Sequence, residues 1–119
     1  MARMKKTPEE RADEQRRYAL AAAATTDDEL EPFLTDPNQA IRSGAVMNRR
    51  ASAEILSRFA HDAFWGNRVE VARHPNSSRE TVLGLLEADP RQRGVVHKAA
   101  RERLESEGVE FGEDHMPLD

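Results

Sequence analysis

Three arginines, Arg16, Arg42 and Arg68, stand at equal intervals, with an offset of 26 each time. A guanidinium fork matches carboxylate and phosphate geometry, so a row of them on one face would read anions. Each also follows an acid by six residues, after Glu10, Asp36 and Asp62. The same spacing would therefore let it pin a turn or a neighbouring carbonyl instead. A looser basic set, Arg49, Arg50, Arg73, Arg79, Arg91, Arg93, Lys98 and Arg101, could meet a nucleic-acid backbone. Phe64-Trp65 before Gly66 is the third candidate: two large rings in a turn are either an interface anchor or a plug for a gap in the core. The candidate partner-binding residues are thus Phe64, Trp65, Arg42, Arg68, Arg49, Arg50 and Arg73.

Reaction chemistry has less to stand on. His61, His74, His97 and His115 fall into no metal-ligand spacing such as H-E-x-x-H, and the chain has no cysteine to bind zinc or iron–sulfur clusters. There is no G-x-S-x-G, no P-loop, and no carboxylate pair in an apolar setting. Asp27-Asp28-Glu29 reads as a solvated helix start, where negative charge complements the dipole. The expectation is a non-catalytic chain with no cofactor and no metal.

The elements that must position these side chains repeat as the arginines do. Asp36 and Asp62 share that offset, and in the same frame Ala45-Val46 falls on Val71-Ala72, Asn48 on His74, Leu30 on Leu56 and Phe33 on Phe59. Carried backward, Ala45-Val46 falls on Ala19-Leu20. A period of this length marks a repeat architecture. From Asp62 to Asp89 the offset is 27, which asks for one inserted residue, placed near Ser78 to Thr81, where a turn tolerates it. Each unit reads as two short helices. Asp36-Pro37 and Asp89-Pro90 are start signals for the first. Thr26 with Glu29, and Ser77 with Glu80, form capping boxes for the second. Thr7-Pro8-Glu9-Glu10 opens an initial helix running to about Ala24. No stretch alternates with period two, so no strand is expected.

The recurring pattern, carried by Asp36-Pro37, Ile41-Arg42, Ala45-Val46, Asn48, Glu54, Leu56, Phe59-Ala60 and Asp62, and again by Asn67-Arg68, Val71-Ala72, His74-Pro75 and Asp89-Pro90, resembles the leucine-rich repeat variant family of HEAT-like helical repeats. The resemblance covers about residues 13–104. It implies an all-α fold, a short right-handed α-solenoid of paired α and short α/3₁₀ helices, and macromolecular binding without catalytic residues. The segment Ala63-Phe64-Trp65-Gly66-Asn67 departs from the family's pattern.

These readings divide the chain into a flexible arm (1–7), a repeat domain (8–105, with units 10–35, 36–61 and 62–88 and a capping helix 89–105) and a tail (106–119). Residues 37–104 hold 12 basic and 7 acidic side chains, whereas 105–119 hold 6 acids and no Lys or Arg. The Gly, Pro and acid content of the tail predicts disorder. Hydrophobic residues make up 38%, which suits a thin array better than a thick core. The longest apolar run, Ala19 to Ala24, cannot span a bilayer, and no apolar signal core follows the basic N-terminus. The expectation is therefore a soluble, cytoplasmic chain that contacts no membrane. Its expected role is an adaptor or inhibitor that binds a protein partner, with self-association open to so short an array. Nucleic-acid binding through the Arg-rich body is the alternative, opposed by a net charge of −4 and one Tyr and one Trp for stacking.

Overall fold

A computed structural model describes residues 5–86 and 94–118. Among them the chain is helical: α1 (Pro8–Ala23), α2 (Asp27–Leu30) running into a 3₁₀ turn (Glu31–Thr35), α3 (Gln39–Val46), α4 (Ala53–Phe59), α5 (Trp65–Arg73), α6 (Arg79–Leu85) and α7 (Val95–Ser106). Hydroxyls start four of these. Thr7, Thr26, Ser52 and Ser78 accept from the amides of Glu10, Glu29, Ile55 and Thr81, satisfying donors that the helix itself cannot. The last three caps keep the interval of the arginines. Ser78, not Ser77, is thus the cap of α6, while the Ser77 hydroxyl donates to the Val71 carbonyl at 2.6 Å.

The buried apolar side chains keep the same interval. Leu30, Leu56 and Val82 form one series, and Phe33, Phe59 and Leu85 a second. Because the register holds through Leu85, the extra residue of the third unit does not lie near Ser78 to Thr81. Residues 87–93, with the Asp89-Pro90 start signal, are outside the described residues. At the other start signal the helix opens later than expected. Asn38 caps α3, its side-chain oxygen accepting from Ala40 N–H, and Asp36 folds the turn before it.

One series of contacts runs from α1 to α3 to α5 to α7. The intervening helices lie against it, the 3₁₀ turn on α3 and α4, α4 on α5, and α6 on α5 and α7. The molecule measures 53 × 39 × 17 Å with a radius of gyration of 16.2 Å, against about 13.5 Å for a compact chain of this length. A thickness of 17 Å leaves room for one helix upon another and no more. No helix among the described residues is long and apolar enough to cross a membrane.

The ends depart from the sequence-based reading. Residues 109–118, expected as disordered, form a small hairpin. Val109 N–H donates to the Leu104 carbonyl, Gly112 N–H to Met116, and Leu118 N–H to Glu110, with an antiparallel bridge between Phe111 and Pro117. Composition marked the segment as acidic, but it carries Val109, Phe111 and Met116, which lie half-buried against the core. The Arg101 guanidinium sits 4.8 Å from the Phe111 ring centre, an attraction of cation to ring face. In the N-terminal arm, Thr7 caps α1 and Lys6 pairs with Glu14 at 2.7 Å, while residues 1–4 are outside the described set.

Candidate binding edges

Asp36 and Asp62, separated by the interval of the arginines, do the same work. Each carboxylate accepts the amide two residues on, Asn38 at 2.9 Å and Phe64 at 2.8 Å, a side-chain turn typical of Asp. Each also receives an arginine from the unit before. Arg17 Nε donates to Asp36 at 2.9 Å, and Arg42 donates to Asp62 through Nε at 2.9 Å and Nη2 at 3.2 Å. Arg42 and Arg68 then reach back six residues to the carbonyls of Asp36 and Asp62, at 2.8 and 2.6 Å. The anion-reading stripe expected of Arg16, Arg42 and Arg68 is therefore not an exposed face. Arg42 and Arg68 are turned inward, and the Arg42 side chain is 14% exposed. Arg16 is exposed and pairs with Asp13, and Arg17 takes the rung that the spacing gave to Arg16. The alanine-rich run of α1 offers no distinctive buried side chain to fix the frame, and the buried residue there is Ala21, not Ala19.

This ladder has a pH signature. Burial pushes the Asp36 carboxyl up, but the hydrogen bond from Arg17, the Asn38 amide and the charges of Arg17 and Arg42 together hold it below its ordinary value. Hydrogen bonds from Lys6 and Asn38 lower Glu14, and those from Thr25 and Thr26 lower Glu29. A carboxyl lowered on folding contributes stability that is present above its unfolded value, about 4, and lost as pH falls through the folded one. The urea midpoint should fall as the pH drops below about 4.5, and Asp36→Asn should lessen that fall. A midpoint that rises on acidification would contradict the ladder.

A second series of bonds joins the C-terminal ends of the same helices. Asn48 Nδ2 donates to the carbonyls of Ala21 and Ala24 at 2.9 and 2.8 Å, ending α1. One unit later, His74 Nε2 meets the Asn48 carbonyl at 2.8 Å. The equivalence extends to the turn, where Arg50 N–H donates to Asn48 Oδ1 and Asn76 N–H to His74 Nδ1. A backbone amide can only donate, so His74 Nδ1 must accept and Nε2 carries the hydrogen. At the end of α5 Arg103 of α7 plays the corresponding part, donating to the carbonyls of Ala72, His74 and Ser77 at 3.2, 2.6 and 2.9 Å.

What these bonds leave free defines two edges. At the C-terminal edge, Arg49, Arg50 and Arg73 are exposed and make no ion pair among the described residues. Arg79 pairs with Glu107, Lys98 with Glu102 and Arg101 with Glu105, and Arg91 and Arg93 lie outside the described residues. Arg49 and Arg73 wall a hollow of about 330 Å³ with Met47, Glu70, His74 and Pro75, and Met47 is 58% exposed.

At the opposite end of α5, Phe64 and Trp65 stand with ring centres 5.5 Å apart at 49°. Trp65 is 38% exposed and does not plug the core. Asn67 occupies the Ile41 position instead, 1% exposed, with Nδ2 donating to the Gln39 carbonyl at 3.3 Å and Oδ1 without a partner among the described residues. Gly66 makes room for the ring beside it: a Cβ there would come 2.5 Å from Phe64 and displace that ring. The exposure of Trp65 was legible in register, because it stands one repeat after Gln39, itself exposed at the first position of α3. No group of His and acidic residues among those described is arranged to hold a metal.

Comparison with known proteins finds no matching family model, curated protein or solved structure for this chain.

Proposed function

We propose that this chain is a non-catalytic helical-repeat binding module, an adaptor or inhibitor, whose aromatic edge recognises a protein partner. Its frame is read as a short right-handed α-solenoid of about 26-residue units, of the leucine-rich repeat variant kind. Three features support that frame: the equally spaced caps Thr26, Ser52 and Ser78, the arginine rungs on Asp36 and Asp62, and the carbonyl contacts passed from Asn48 to His74.

The observation that carries the function is Trp65. A large ring lies exposed at the first turn of α5, steadied by Phe64 and by a glycine that cannot be given a side chain without moving that ring. Rings held in this way lose little conformational freedom on docking and bury much apolar area, which is why Trp anchors interfaces. Nucleic acid is the weaker reading, since most basic side chains of the body are engaged with carboxylates or carbonyls and only three described cations of the looser set stay free. Trp65→Ala should cut capture of the partner from a host lysate by at least about tenfold, because central Trp truncations cost about 2 kcal/mol or more. Helical content and melting temperature should stay unchanged. Undiminished capture by the folded variant would remove the aromatic edge from the binding surface.

A further inference from the structure

Two sets of opposite charge stand on segments that meet at one corner of the molecule, with no ion pair between them among the described residues. Arg49 and Arg50 follow the end of α3, and Arg73 ends α5. These ends adjoin, His74 Nε2 lying 2.8 Å from the Asn48 carbonyl. The end of α7 reaches the same corner, where Arg103 donates to His74 and Ser77 carbonyls, and the hairpin of residues 109–118 starts there. Its Glu110 and Glu113 are exposed and unpaired among the described residues. Leu118, bonded through its amide to the Glu110 carbonyl, is 58% exposed, as is Met47 in the arginine-walled hollow.

We propose that two copies of this chain associate about a two-fold axis, each laying its acidic hairpin on the other's Arg49–Arg73 hollow. The hairpin offers two carboxylates and an apolar side chain; the hollow offers two guanidiniums against the one carboxylate of Glu70, a net positive wall over Met47 and Pro75. Both surfaces stand on segments that leave the corner where α3, α5 and α7 end. A two-fold axis makes the two contacts equivalent, so both form at once and the assembly closes as a dimer. Net positive charge around a hollow selects an opposite partner more by specificity than by strength, and burial of Leu118 against Met47 adds the apolar share. This inference is independent of the aromatic edge, which lies at the other end of α5.

Sedimentation velocity of the full chain tests it. At about 100 µM protein and about 0.05 M salt a dimer is expected, and about 1 M salt should return the monomer. Arg49→Glu with Arg73→Glu should weaken association by at least about tenfold, as should Glu110→Arg with Glu113→Arg. Neither double variant can pair with itself, because edge and hairpin then carry the same sign. Mixed together, the two should recover a mixed dimer, while Trp65→Ala leaves the wild-type dimer unchanged. A wild-type monomer at both salt levels overturns the proposal, as does a mixture that stays monomeric while circular dichroism shows both variants folded. Should either reversal unfold the chain, the corresponding alanine pairs decide it: an unchanged dissociation constant is fatal.

Discussion

Replacing Asp62 with alanine should remove about 3 kcal/mol of stability, a large part of the roughly 5–15 kcal/mol available to a domain. The Asp62 side chain is nearly enclosed, and it holds both the Arg42 fork and the Phe64 amide. Without it, a mostly buried guanidinium keeps only the Asp36 carbonyl. Leaving such a charge unpaired costs more than the pair gains by forming. Asp62→Asn separates the two roles: the amide oxygen can still accept from Phe64 N–H, so about half of the loss should return. Urea unfolding measures both, and a double-mutant cycle with Arg42→Met isolates the rung, expected at about 1–3 kcal/mol. A cost for Asp62→Ala below about 1 kcal/mol would class the ladder with ordinary surface ion pairs.

Arg103→Met should cost about 2–3 kcal/mol. One guanidinium ends α5 and joins α7 to the corner before α6, with its shortest bond, 2.6 Å, to the His74 carbonyl. Methionine keeps much of the stem's packing while deleting every donor, so the loss reports the hydrogen bonds. Lysine restores the charge but not the planar fork, and should recover less than half of the stability. Glu107, which pairs with Arg103 at 2.8 Å, is an exposed partner, and Glu107→Ala should shift the thermal midpoint far less. Equal effects of Arg103→Met and Glu107→Ala would locate the strength of this corner in the ion pair instead of the carbonyl contacts.

The repeating interval was readable because side chains with a fixed local job recur with it. A hydroxyl at a helix start, an acid that folds a turn and an arginine that reaches back six residues each need one position and no other. Arg42 and Asp62 were therefore found, and so was the likeness of Asn48 and His74. The same reasoning slipped by one at Arg17, because the run Ala19 to Ala24 is alanine but for Leu20, and helical geometry alone decides which side chain is buried. Two adjacent serines hid the cap of α6 in the same way. The hairpin was missed for another reason: its order rests on Phe111 meeting Arg101 of α7, a contact that net charge cannot register. Trp65 was read as a candidate anchor or a filler; its register with the exposed Gln39 pointed to the surface, and the burial of Asn67 at the Ile41 position leaves it there.

The hydrogen bonds that side chains of one helix make to carbonyls of its neighbour also bear on how the chain reaches its native state. The side-chain bonds that join α1 to α3, α3 to α5 and α5 to α7 span 19 to 31 residues, and none of them links the first helix to the last. Closing a loop of such length costs little more than closing one half as long, by about 0.6 kcal/mol per doubling. Low contact order of this kind goes with rapid folding. Structure can start at any neighbouring pair and spread outward, so the terminal helices should be the last to settle and the first to fray.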